Sequence, residues 1–117
     1  MIKLENHLGT IEISQEYFAN LVGSAASSCF GVAAMANRSY AQGLRGFIMP
    51  REYADKGVRV SSEDGGLIID LHIVVTYGLN IAAIVKSIIH KVRYTVEEAT
   101  GLSVKKVNVY VDGMKAE

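Results

Sequence analysis

Asp70 and His72 stand two residues apart in a run that alternates apolar and polar, so both side chains fall on one face of a strand. That is the spacing an acid–base pair on a sheet would need. The same register offers a plainer use. With Asp64-Gly65 as a two-residue turn, Arg59 lies opposite Asp70, and a cross-strand ion pair would take the carboxylate. No serine or cysteine is placed for activation by His72, so hydrolysis lacks a nucleophile. Cys29 lies on an apolar helical stripe with no His, Lys or Arg near it in sequence, the setting of a packed thiol rather than a reactive one. His7, His72 and His90 fall on a terminus, a strand and a helix, and none has a second ligand at zinc spacing. The expectation is a non-enzymatic chain with no catalytic residue, no metal site and no cofactor.

Two stretches are better suited to binding, and a third invites the same reading. Gly43-Leu44-Arg45-Gly46 matches the GxxG loop with which KH domains grip a nucleic-acid backbone. In KH domains that loop joins two helices, whereas here strand and coil precede it. Lysine plus arginine and aspartate plus glutamate both number 12, so no overall field draws nucleic acid or an anionic membrane. Single-stranded RNA binding is therefore the alternative reading, not the leading one. Arg38, Tyr40, Arg45, Phe47, Ile48, Met49, Arg51 and Tyr53 mix arginine, aromatic and apolar side chains, a composition enriched at protein interfaces. The competing use is that Phe47, Ile48 and Met49 close the bottom of the core. Lys86, His90 and Arg93 form a small basic helical face, partly neutralised by Glu97, and read as a solvated surface.

The elements that must position these residues are legible. Around the Asp64-Gly65 turn, Ser62 pairs with Leu67, Val60 with Ile69 and Val58 with Leu71. This puts Val58, Val60, Leu67, Ile69, Leu71, Ile73 and Val75 on one apolar face, and a one-residue slip would expose the whole row. After Tyr77-Gly78 the period becomes helical, with Ile81, Ile84, Val85, Ile88, Val92, Val96 and Ala99 on one face. Asn80 is placed to cap that helix and Gly101 to end it. A helix of about 30 Å carries the chain back for a strand over residues 104–111, parallel to 67–76, with Val107, Val109 and Val111 inward. Earlier, residues 9–13 read as a short strand after an irregular lead-in over 1–8. Ser14 caps a helix with the stripe Phe18, Leu21, Val22, Ala25 and Cys29, ended by Gly31, and 32–36 reads as a further strand. Residues 37–56 are irregular.

From Tyr17 to Asn37 no residue is charged, and the second face of the first helix holds only Ala19, Asn20, Gly23, Ser24 and Ser27. Few of these positions are strongly apolar and Gly31 interrupts them, so direct membrane insertion is not expected. A helix covered on both sides, by the central loop or by a second copy, fits better, because small uncharged residues allow close approach and cost little to desolvate. The single cysteine excludes an internal disulfide and suits a reducing compartment. With charges among the first apolar positions and no secretory leader pattern, the expectation is a cytoplasmic, soluble, single domain over 1–117.

The pattern Gly9-Thr10-Ile11-Glu12-Ile13-Ser14, Gly31-Val32, Gly57-Val58-Arg59-Val60, Leu67-Ile68-Ile69-Asp70-Leu71, Tyr77-Gly78-Leu79-Asn80-Ile81, Thr100-Gly101-Leu102 and Val107-Asn108-Val109-Tyr110-Val111 resembles the alkaline shock protein family of mainly Gram-positive bacteria. The resemblance spans nearly the whole chain and is loosest over 37–56. It implies a small cytoplasmic protein of the envelope-stress response, without an agreed enzymatic activity. It also implies self-association into a homo-oligomer and recruitment to the membrane through a membrane-anchored partner. The expected architecture is α+β, a two-layer arrangement of a mixed sheet of four to five strands with two main helices on one face, in the order β-α-β-β-β-α-β. The binding surface expected for a scaffold combines Ala19, Gly23 and Ser27 with Arg38, Tyr40, Arg45, Phe47, Met49 and Tyr53.

Overall fold

The computed structural model describes residues 2–36 and 57–116. Its axis is strand β5 (Gly66–Thr76), which every other strand of the main sheet contacts. β4 (Val58–Glu63) runs antiparallel to the first half of β5 in the expected register, Val58 to Leu71, Arg59 to Asp70, Val60 to Ile69 and Ser62 to Leu67. Asp64 and Gly65 take φ of 49° and 79° at the turn between them, the positive pair that a tight hairpin of this twist needs. β3 (Val32–Met35) runs antiparallel to the second half of β5, with Val32 opposite Val75 and Met35 opposite Ile73. β6 (Val104–Lys115) lies parallel to β5 on its other side and extends beyond the expected end.

β3 and β4 therefore occupy the same side of β5, end to end, as two pieces of one interrupted strand. The break falls opposite His72. The Ala36 amide donates to the His72 carbonyl at 2.8 Å, and Gly57 sits so close that a Cβ there would lie 2.7 Å from the Ala36 carbonyl oxygen and 2.9 Å from that of His72. The chain leaves the sheet and rejoins it at one point. The irregular stretch expected over 37–56, with Arg38, Tyr40, Gly43, Leu44, Arg45, Gly46, Phe47, Met49 and Tyr53, lies outside the described residues.

Two helices cover the apolar face of the sheet. α1 (Gln15–Ser27) packs on β3 and β4, and α2 (Ile81–Thr100) packs on β6 and against α1. Phe18, Val22, Val58, Leu67, Ile69, Leu71, Ile73, Ile88, Val92 and Val96 make the core between the layers. At about 25 cal/mol per Å² of apolar surface, this face supplies the dominant favourable free energy. Ser14 Oγ accepts from the Tyr17 amide at 3.0 Å and Asn80 Oδ1 from the Ala83 amide at 3.1 Å, so both expected N-caps form. Three details differ from the sequence reading. The chain before Gly9 is a strand, β1 (Ile2–Asn6), in a hairpin with β2 (Gly9–Ile13) as a separate two-stranded sheet. Asn6 Oδ1 accepts from the Leu8 and Gly9 amides and shapes a turn without the usual glycine pair. α1 stops at Ser27, not at Gly31, because Ser28 Oγ donates back to the Ala25 carbonyl at 2.7 Å and Cys29 then lies in the turn. Ala99 is exposed, beyond the reach of the sheet.

Candidate functional site

His72 points to the helix-free face of the sheet, yet it is only 5% exposed. Tyr110, its neighbour on β6, stacks on the imidazole with ring centroids 4.8 Å apart and planes 16° from parallel. The register of β6 shifts just beyond, between Val111 and Gly113, and the extra residue is Asp112. Its carboxylate lies 2.7 Å from His72 Nδ1. Opposite an ionised carboxylate that nitrogen is the donor, which fixes the tautomer and the plane of the ring. The paired carboxylate and imidazole join β6 to β5 at this point. Their setting is that of a clamp between β5 and β6 beneath the break in the opposite strand.

Asp70 does not pair with Arg59 as the hairpin register suggests. Arg59 stands exposed, and the carboxylate instead accepts from Asn108 Nδ2 at 2.9 Å across the parallel pair. A short amide directly opposite makes this bond without immobilising a long flexible side chain. Glu97 likewise does not serve Arg93. Its Oε2 accepts from the Val104 amide at 2.9 Å and ties the end of α2 to the start of β6, helped by Thr100 Oγ1, which donates to the Val96 carbonyl and accepts from the Leu102 amide. The Cys29 thiol is half-buried, 3.5 Å from the Ala25 carbonyl oxygen. Among the described residues no three His, Cys, Asp or Glu side chains gather as metal ligands would.

Of the expected interaction residues, Ala19 and Gly23 are buried. Ser27 is exposed, as are Asn20 and Ser24. Lys86, His90 and Arg93 are exposed on α2 as expected, and with Lys91 and Tyr94 they border an open hollow of about 840 Å³. No helix is long and apolar enough to cross a membrane, among the described residues.

One surface escaped the sequence reading. Where β3 begins and β5 and β6 finish, Phe30 is 82% exposed, Tyr77 71% and Met114 54%, with the half-buried Leu79 beside them. A hollow of about 290 Å³ opens there, bordered by Phe30, Leu79, Asn80, Ala83, Ile84 and Ser87. Phe30 precedes Gly31, Tyr77 and Leu79 flank Gly78, and Met114 follows Gly113. Phe30 before Gly31 and Tyr77 before Gly78 were the available signal.

Residues 3–116 match one protein family, described as having a cell envelope-related function. The chain belongs to the alkaline shock protein 23 family. Among its relatives, the uncharacterized protein YloU of Bacillus subtilis is 36% identical over 97% of this chain and 95% of its own length. The uncharacterized protein Spy1614 of Streptococcus pyogenes is 35% identical over 97% and 94%, and the uncharacterized protein YqhY of B. subtilis 33% identical over 95% and 81%. No solved structure gives a significant match. In this member of the alkaline shock protein 23 family the signature residues Asn80, Thr100 and Gly101 are those that start α2, end it and hand the chain to β6.

Proposed function

We propose that this chain is a non-enzymatic, self-associating scaffold of the envelope-stress response, working in the cytoplasm and held near the membrane by a membrane-anchored partner. The observation that carries the reading is a contrast in how side chains are spent. Asp70, His72, Glu97 and Asp112 are bonded to residues of the fold itself, while Phe30, Tyr77 and Met114 stand in solvent at one end of the sheet. Large aromatic residues of that kind are what interfaces use as anchors, and clusters of exposed apolar surface mark contact sites. The cell envelope-related function of the family supports a role at the envelope.

Two measurements test this. Light scattering across a concentration series should give a mass above that of one chain. Immobilised protein should retain a membrane-anchored protein from detergent-solubilised membranes of the source cell, and Phe30→Ser with Tyr77→Ser should abolish that retention with thermal stability unchanged. A strict monomer that retains no membrane protein would refute the scaffold reading.

A further inference from the structure

The main sheet has two outer edges, and the fold treats them differently. On β4 the edge is closed by Gln15, at the start of α1. In the amide orientation that satisfies both groups, its side chain donates to the Val60 carbonyl at 3.1 Å and accepts from the Val60 amide at 2.9 Å, standing in for a neighbouring strand. On β6, nothing among the described residues pairs with the outer edge. Exposed edges are ordinarily blunted by charge, proline or coverage. Here Lys105 is drawn away to Asp64, 3.4 Å distant, and 106–111 contains no proline and no register break.

The hydrogen-bond pattern shows what this edge offers. The Leu67 amide donates to the Ser103 carbonyl and the Tyr77 amide to the Lys115 carbonyl, so the odd-numbered residues of β5 turn their amides toward β6. In a parallel ladder with Ile69 opposite Val107, Leu71 opposite Val109 and Ile73 opposite Val111, the β6 residues aimed back at β5 are Lys106, Asn108 and Tyr110. The N–H and C=O groups of Val107, Val109 and Val111 therefore face outward. Val109 and Val111 point to the helix side of the sheet yet are only half-buried.

Resting on the self-association reading above, we propose that β6 is the self-association edge, pairing antiparallel with β6 of a second copy about a two-fold axis through Val109. In that register Val109 meets its symmetry mate and Val107 meets Val111 of the other copy, so all three outward N–H and all three outward C=O groups of each copy are satisfied. Two-fold symmetry makes the strand self-complementary. The same register, chosen for the backbone alone, sets Lys106 opposite Asp112 of the other copy on both sides of the axis, and Asn108 opposite Tyr110. The pairing keeps the helices of both copies on one side, extends one sheet into the other, and adds cover to the half-buried valines.

Val109→Pro removes an outward donor and takes no bond from β5, so the strand itself should tolerate it. Light scattering and sedimentation of the full chain should show the dimer dissociation constant rising at least tenfold in Val109→Pro and severalfold in Lys106→Glu, with circular dichroism unchanged. Val109→Cys in a Cys29→Ser background should form a cross-linked dimer under mild oxidation, because directly bonded antiparallel residues have Cα atoms about 5.5 Å apart, within disulfide range. An oligomer that survives Val109→Pro, together with a Val109→Cys protein that stays uncross-linked, would place the contact elsewhere and overturn the edge while leaving self-association intact. A strict monomer of the unaltered chain at its highest soluble concentration would overturn both.

Discussion

Gly57 and Gly101 share a φ of +74°, so replacing either by alanine forces an L side chain into the left-handed region. That conformation costs roughly 1–2 kcal/mol. At Gly101 the new methyl group meets nothing within 4 Å, and the backbone term is the whole effect. At Gly57 it would lie 2.7 Å from the Ala36 carbonyl oxygen and 2.9 Å from that of His72, both backbone atoms of the sheet that cannot swing aside. Forcing a methyl into a filled site adds about 1–3 kcal/mol, so Gly57→Ala should lose about 2–5 kcal/mol where Gly101→Ala loses roughly 1–2 kcal/mol. Urea denaturation at constant m-value measures both directly. In thermal unfolding Gly101→Ala should fall by about 4–8 °C, and Gly57→Ala by at least twice that. Equal losses in the two variants would refute the reasoning, since they would mean that the sheet is not closed around the junction at Ala36, Gly57 and His72.

Asn80→Ala should cost about 1 kcal/mol by removing the bond to the Ala83 amide, with Asn80→Ser recovering most of it in the same denaturation assay. Asp112→Ala, which takes the carboxylate from His72 Nδ1, should cost about 1–3 kcal/mol and increase amide exchange along 110–115, where β6 is held to β5. Single-stranded RNA should show no salt-sensitive mobility shift with this chain. A shift that is present at low salt and lost in Arg45→Glu would instead promote the GxxG alternative.

The sequence made some of this legible because local chemistry and burial agreed. The Asp64-Gly65 turn allows one register, and that register alone puts Val58, Val60, Ile69 and Leu71 into the core. The caps of both helices and the parallel return to β6 followed from the same agreement between turn, period and length. The β1–β2 hairpin was harder to see. Ile2 and Leu4 do alternate with Lys3 and Glu5, but the His7-Leu8 tip carries no turn signature, and Asn6 supplies the turn by side-chain bonds that spacing does not announce. At the site, the pairing of Asp70 depended on a neighbour from the far side of β5. Hairpin register identifies Arg59, whereas Asn108 arrives through a parallel pair 38 residues later in the chain. His72 and Asp112 meet for a similar reason, through an extra residue in β6 that no sequence period marks.

These long-range polar bonds share a location that bears on function. The Asp70–Asn108 bond and the His72–Asp112 pair both cross from β5 to β6, and Glu97 fastens the beginning of β6 to the end of α2. Among the described residues β6 is thus tied by these three side-chain bonds, while its outer edge carries no ladder. A strand left with one open side would otherwise fray, because half of its backbone bonds are made to water. Fastening it from the inner side keeps Val107, Val109 and Val111 aligned before any contact forms. Less ordering entropy then remains to be lost on association. An edge held ready in this way suits assembly from small surfaces repeated between copies, and the His72–Asp112 pair is one of the bonds that hold it.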